Sequence, residues 1–332
     1  MTEIKIALLG LGNVGRAFAD YLERVNDNMP VRLRICGIAD SSGGFLSDDQ
    51  NQIKQAIAEK ASGRSVSDFS PNKIIPDTRE FVGHLQRSGI SILVESLPTN
   101  IIDGQPVLDC LKAALADGIC VVTVDKGPLV HGLEALKEAA RAGSAQLAFS
   151  GTTGITPPEE IRGERVLEIR GVLNGTTNHI LTEMQTRSIS FDQALGEAQQ
   201  SGIAEPDPKL DTEGWDTAVK ILILAKSLMG ASCHLSEVPR IGIGAETNAL
   251  IENARATNRI VRLIGRARIW QGRVRVSVAP KILNSDSPFY QVNGTSKAAV
   301  FRTEKGAVLS HGISGRDAIS QTILDDIIRI SI

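Results

Sequence analysis

Apolar and polar positions alternate along this chain in two rhythms, and the rhythm changes near residue 150. Ile4 to Leu9 is a short apolar run that predicts a strand; Gly10 to Gly15 interrupts it, and a helix is predicted from Arg16. Residues 31–39 form a second apolar run, with Asp40 at its end. Residues 41–73 are polar and rich in Ser, Asp and Gln, which predicts an excursion from the sheet carrying one helix over 48–61. Ile74-Ile75 reads as a short strand and Thr78 to Arg87 as a helix. Ser91 to Ser96 reads as a strand, Pro106 to Asp117 as a helix, Ile119 to Lys126 as a strand, Leu133 to Ala142 as a helix, and Gln146 to Phe149 as a sixth strand. Strands alternating with helices over the first 150 residues predict an α/β domain on a doubly wound parallel sheet.

From Gly151 the pattern differs. Val166 to Val172 alternates as a strand. Asn174-Gly175-Thr176-Thr177-Asn178 is a turn rich in hydrogen-bonding groups that leads into a helix, and Asn174 or Thr176 as its N-cap accounts for it without chemistry. Phe191 to Gln200 predicts a helix. Pro206 and Pro208 then fix their own φ and push the preceding residues toward extended geometry, so Glu205 and Asp207 sit on a stiff loop. From Thr212 the apolar residues return to helical spacing, with Asp216 and Lys220 on one face. Such a pair is common on solvated faces, yet an acidic loop running into it is also suited to holding a small zwitterion or moving a proton. Strand-like runs such as Arg273 to Val278 occupy residues 241–301, and Ala318 to Ile330 is an amphipathic helix. The chain therefore divides into residues 1–155, completed by the C-terminal segment 301–332, and a second α+β domain over 156–300.

Composition narrows the function classes. A net charge of −2 over 332 residues makes no electrostatic case for nucleic acid or a membrane surface. Cys36, Cys110, Cys120 and Cys233 follow no metal spacing, and the five histidines form no metal pattern. The chain enters an apolar strand at once, without the pattern of a secretion signal, so a cytoplasmic protein is expected.

The chemistry-bearing positions lie at element ends. Gly10, Gly12 and Gly15 form G-x-G-x-x-G after a strand and before a helix, the setting in which such a loop cradles a pyrophosphate. Gly10 permits the turn, Gly12 the approach of the phosphates, and Gly15 the packing of helix on strand, with Asn13 and Val14 between them. Asp40 stands where an acid binds the ribose 2′-hydroxyl, or else is only a turn residue before Ser41. Ser96, Leu97 and Thr99 follow one strand and Lys126 ends another, so they line the expected cofactor crevice. Neither Lys126 nor Lys220 is expected in the core.

In this order the Gly10–Gly15 loop, Thr123-Val-Asp125-Lys126, Asn174 to Leu181, and Glu205-Pro-Asp-Pro with Asp211, Asp216 and Lys220 resemble the homoserine dehydrogenases. The resemblance covers most of the chain, including Gly315 to Asp326, and suggests a short form without an appended kinase or regulatory domain. It implies a Rossmann-type domain and reversible NAD(P)-dependent reduction of L-aspartate 4-semialdehyde to L-homoserine, on the route to threonine, methionine and isoleucine. It also implies a homodimer. By resemblance, Glu205 holds the substrate amino group with Gly175 and Thr176 nearby, and Asp211 and Lys220 meet the reacting oxygen. Asp216 orients Lys220, Lys126 is the second candidate acid/base, and Gly315 belongs to the cofactor site. The sequence does not rank the two lysines. Asp125 stands where the family usually has Asn, Ile203 where it has Tyr, and Ser150 where a Glu is common beside a monovalent-cation site, which puts that cation in doubt. The competing expectations are an aspartate-semialdehyde dehydrogenase, which needs an activated cysteine, and a nucleotide sensor without turnover. Asp40, with no Arg between it and Arg64, favours NAD over NADP, and Lys54 is the group that could offset this.

Overall fold

The computed structural model describes residues 3–26, 29, 31–69, 74–313 and 315–331. Two compact units divide the chain: Met1–Thr152 with Ser314–Ile332, and Thr153–Ile313. The first begins β1 (Glu3–Leu9), α1 (Asn13–Val25), β2 (Arg32–Asp40), β3 (Gly43–Leu46), α2 (Gln50–Ala61) and α3 (Thr78–Leu85). It continues β4 (Ile92–Glu95), α4 (Val107–Ala116), β5 (Cys120–Thr123), α5 (Gly127–Ala142) and β6 (Leu147–Ala148). The second holds β7 (Val166–Val172), α6 (Gly175–Arg187), α7 (Phe191–Gln200), α8 (Lys209–Thr212), α9 (Trp215–Met229) and α10 (Thr247–Arg255). Its remaining strands are β8 (Ile260–Trp270), β9 (Arg273–Leu283), β10 (Ala298–Thr303) and β11 (Ala307–His311), after which α11 (Arg316–Ser331) belongs to the first unit again.

Among the described residues the first sheet runs β3-β2-β1-β4-β5-β6, parallel except for β3. Chain order reverses between β1 and β4, the switch point where an α/β sheet opens a crevice beyond its strand ends. The two-residue periodicity of β1 sends Ile6 and Leu8 into a cluster with Phe18 and Leu22 of α1 and Ile323, Leu324 and Ile327 of α11. Burying each such side chain contributes about 1.5–3 kcal/mol. Ala7 and Leu9 are also buried, on the opposite face. The expected excursion over 41–73 is only partly one: Gly43 to Leu46 returns as β3, antiparallel to β2. The pattern hid it because the strand is four residues long and two are glycines.

The second unit is a five-stranded sheet in the order β11-β10-β7-β8-β9, with antiparallel pairings. Residues 301–313, assigned from sequence to the first domain, pair here instead: Phe301 lies opposite Ile169 of β7 and Val308 of β11. Helix α9 lies close upon β8, since a Cβ at Gly265 would stand 3.1 Å from Ile221 Cβ. No helix among the described residues is long and apolar enough to cross a membrane.

Candidate active site

The glycine loop of the first unit is tied to both neighbouring strands. Gly10 has φ +104°, and a Cβ there would stand 2.6 Å from the Ser96 carbonyl carbon, so only glycine fits. Gly10 N–H donates to Ala39 O at 2.8 Å, and Ser96 Oγ donates to Gly10 O at 3.0 Å. Gly12 caps α1 without a side-chain hydrogen bond, and no acid stands in that helix's first turn. A Cβ at Gly12 would meet nothing within 4 Å. An open, uncapped helix N-terminus of this kind fits a dinucleotide pyrophosphate. Asn13 accepts from Arg16 Nη2 at 3.3 Å, Val14 packs on the core, and Gly315, with φ +96°, precedes α11.

Asp40 is more committed than its position in the sequence suggests. It is 5% exposed. Its Oδ1 accepts from Ser42 N at 2.7 Å and Ser42 Oγ at 2.5 Å, and its Oδ2 from Lys60 Nζ at 2.6 Å and Val66 N at 3.3 Å. Burial pushes its pKa up, but Lys60, Ser42 and Val66 together hold the carboxyl below its ordinary value. Asp40 thus acts as a turn residue, pinning the turn into β3. Lys54, the expected phosphate reader, pairs instead with Glu23 at 2.6 Å, and Arg64 with Glu59 at 2.7 Å. Lys60, one α2 turn and a half beyond Lys54, is the lysine at Asp40, and sequence spacing alone does not choose between them.

At the ends of β4 and β5 lies an acid pair, of which the sequence reading singled out only Asp125. Glu95 is fully buried; its Oε2 accepts from Thr123 Oγ1 at 2.5 Å and its Oε1 from Leu97 N at 2.6 Å. Asp125 is 1% exposed and accepts from Gly127 N at 2.9 Å, which starts α5 six residues earlier than Leu133 would. Burial first, and then the Asp125 charge, raise the Glu95 pKa to about 8. Burial likewise raises Asp125, against hydrogen bonds from Gly127 and Thr99 and the charge of the half-buried Lys126.

The second unit gathers Asn174, Asp211, Asp216 and Lys220. Pro208 O accepts from Asp211 N and Thr212 N, closing the short α8. Gly214, left-handed at φ +79°, then lets the chain turn into α9, so the helix expected from Thr212 begins at Trp215, after the short α8. This turn sets Asp211 and Asp216 on either side of one amide: Asn174 Nδ2 donates to Asp211 Oδ1 at 2.6 Å and to Asp216 Oδ2 at 2.8 Å. Lys220 Nζ donates to Asp216 Oδ2 at 2.6 Å and to Leu173 O at 3.0 Å. Lys220, expected outside the core, is only partly buried as a residue, with its side chain 13% exposed because α9 packs on the sheet. Burial is the main cause that raises the Asp211 pKa; Asn174 and Thr176 act against it and Asp216 with it. Thr176 Oγ1 donates to Ile203 O at 3.2 Å, and Gln199 Nε2 to Glu205 O and Pro206 O at 3.2 Å, which holds the proline loop beside the start of α6. Glu205 is exposed on that loop, and Gly175 sits close to the backbone of Thr295.

Ser150, at the doubtful cation position, donates from N and Oγ to Asp326 at 2.8 and 2.7 Å. No cluster of His, Cys, Asp or Glu able to hold a metal occurs among the described residues. The cysteines are no better placed for nucleophilic chemistry: burial raises the pKa of Cys36 and Cys110 to about 11 and also raises that of Cys233.

Comparison with known proteins gives the same outline. Residues 156–328 match the model of the homoserine dehydrogenase family, and residues 10–150 that of the homoserine dehydrogenase NAD-binding domain. The chain is 33% identical to an NAD(+)-dependent homoserine dehydrogenase of Pseudomonas canavaninivorans, over 99% of this chain and 97% of that one. It is 32% identical to a homoserine dehydrogenase of Methanocaldococcus jannaschii, over 98% of each. Among solved structures it resembles a hyperthermophilic archaeal homoserine dehydrogenase in complex with NADPH, with TM-score 0.78, 28% identity, and 99% and 98% of the two chains covered. It also resembles the enzyme of Thiobacillus denitrificans, with TM-score 0.81, 25% identity, and 100% and 74% covered.

Proposed function

Because the chain belongs to the homoserine dehydrogenase family, NAD(P)-dependent enzymes that interconvert L-homoserine and L-aspartate 4-semialdehyde, we propose that the Asp211–Asp216–Lys220 cluster handles the reacting substrate oxygen. The observation that carries this is Lys220 Nζ fixed between Asp216 Oδ2 and Leu173 O. An ammonium has three donors; two are used for anchoring, and the third is assigned to the oxygen. In the reductive direction Lys220 stabilises the developing alkoxide and donates its proton. Asp216 orients Lys220 and takes part in the proton relay, Asp211 faces the same oxygen, and Lys126 is the second acid/base group. Glu205 binds the substrate ammonium, with Gly175 and Thr176 beside it.

The nicotinamide coenzyme, NAD or NADP, supplies or accepts the hydride when bound. The residues proposed to hold it are Gly10, Gly12, Asn13, Val14, Gly15, Asp40, Ser96, Leu97, Thr99, Lys126 and Gly315. A homodimer through the second unit is part of the same proposal, carried by the family resemblance.

Absorbance at 340 nm with homoserine and either coenzyme tests the activity, and its absence with both would overturn the assignment. In that assay Glu205→Gln is expected to raise KM for homoserine more than it lowers kcat, since an ion pair to the ammonium is made equally in ground and transition states. A pure kcat loss would move Glu205 into the chemistry.

NAD is proposed as the favoured coenzyme, because the Asp40 carboxylate repels a 2′-phosphate. Lys60 partly cancels that charge. Lys60→Met is therefore expected to lower kcat/KM for NADP several-fold more than for NAD. An unchanged ratio would mean that the Asp40–Lys60 pair does not face the ribose.

A further inference from the structure

We infer that Asn174 is a positioning residue: its side-chain amide, oriented by the cap of α6, ties Asp211 and Asp216 together and so holds Lys220 in place through Asp216. The inference rests on the assignment of chemistry to that cluster.

The geometry uses the amide completely. Asn174 is 5% exposed. Its Oδ1 accepts from Thr177 N at 2.8 Å and Thr177 Oγ1 at 3.0 Å, which is the N-cap of α6. Its two Nδ2 hydrogens have two acceptors, Asp211 Oδ1 at 2.6 Å and Asp216 Oδ2 at 2.8 Å. A flipped amide would aim its oxygen at two carboxylates and its NH2 at the Thr177 N–H, so the neighbours decide the orientation. A side chain that only capped the helix would need the oxygen alone. Here the cap is the anchor that points the donor end at the acids.

Two carboxylates brought together repel, and burial strengthens the repulsion. The charged groups acting on Asp211 are Asp216 and Lys220, both on α9, while Asn174 and Thr176 at the start of α6 supply neutral hydrogen bonds. Asn174 places a positive dipole end between the two acids, which favours the ionised form of Asp211. Asp216 Oδ2 accepts from Asn174 and Lys220 together. Losing the amide therefore loosens the lysine's anchor as well as the acid pair.

Serine separates the two roles, because its hydroxyl caps a helix about as well as asparagine but cannot bridge. For Asn174→Ser we expect a thermal midpoint close to that of the unaltered protein, kcat lowered at least about 10-fold, and the acidic limb of the pH profile moved upward. Asn174→Asp, which keeps the cap and replaces the donor with an acceptor, is expected to lose more and to recover partly at lower pH. Carboxyl-carbon NMR of Asp211, read with and without Asn174→Ser, follows the bridge without turnover, and its midpoint is expected to rise. Should Asn174→Ser misfold, Asn174→Thr takes its place. Unchanged kcat, pH profile and Asp211 titration in a folded serine or threonine variant would reduce Asn174 to a cap and overturn the inference. Lys220→Ala measured alongside distinguishes the other failure: near-normal turnover there would remove the chemistry from the cluster itself, whatever Asn174 does.

Discussion

Lys220→Ala is expected to lower kcat by at least about 100-fold, the scale of a lost proton donor or oxyanion partner. The reason is local. Lys220 Nζ stands 2.6 Å from Asp216 Oδ2 and 3.0 Å from Leu173 O, so its position is set before substrate arrives. Alanine removes the ammonium and leaves Asp216 with the Asn174 donor. Some loss of stability accompanies this, because the Lys220 side chain is 13% exposed and its stem packs in the unit. The catalytic effect is read at saturating substrate and below the thermal midpoint, so that folding does not enter it. Lys220→Met, which keeps the stem, is expected to retain more stability than alanine and no more activity. Lys126→Ala is expected to lose at least about 100-fold as well. Near-normal turnover in either alanine variant would remove that lysine from the mechanism.

Glu95→Gln is expected to flatten the dependence of stability on pH. In the unfolded chain Glu95 ionises near its ordinary value of 4.5, whereas in the fold it keeps its proton up to about 8. Between those values the folded state binds more protons than the unfolded state, so stability falls as pH rises. The contribution is fully present below about 4.5 and is lost by about 8. The slope approaches about 1.4 kcal/mol per pH unit for one such group. Glutamine is neutral throughout and removes that slope. Asp125, whose pKa burial also raises, keeps its own contribution in both proteins. Thermal midpoints of both proteins from pH 5 to 8 test this. Parallel curves would mean that Glu95 is already ionised in the fold at pH 5.

Much of this site is local and was readable from the sequence. A strand, three glycines and a helix follow one another within 25 residues, so the loop is legible locally, although Ala39 and Ser96 hold it in place. Pro206 and Pro208 stiffen the Glu205 loop through their own rings, and Asp216 and Lys220 share a face because a helix repeats every 3.6 residues. What the tertiary structure decided are the pairings between segments far apart in sequence. Asn174 meets Asp211 and Asp216 across separations of 37 and 42 residues. Asp40 meets Lys60 rather than Lys54, Glu95 meets Thr123, and β10 joins β7 instead of the first unit. Periodicity states which face of an element is buried, but not which element covers it. A carboxylate carries no mark of its future partner, because the energy that chooses the partner comes from the packing of whole elements, such as α9 on β8, and not from the acid itself.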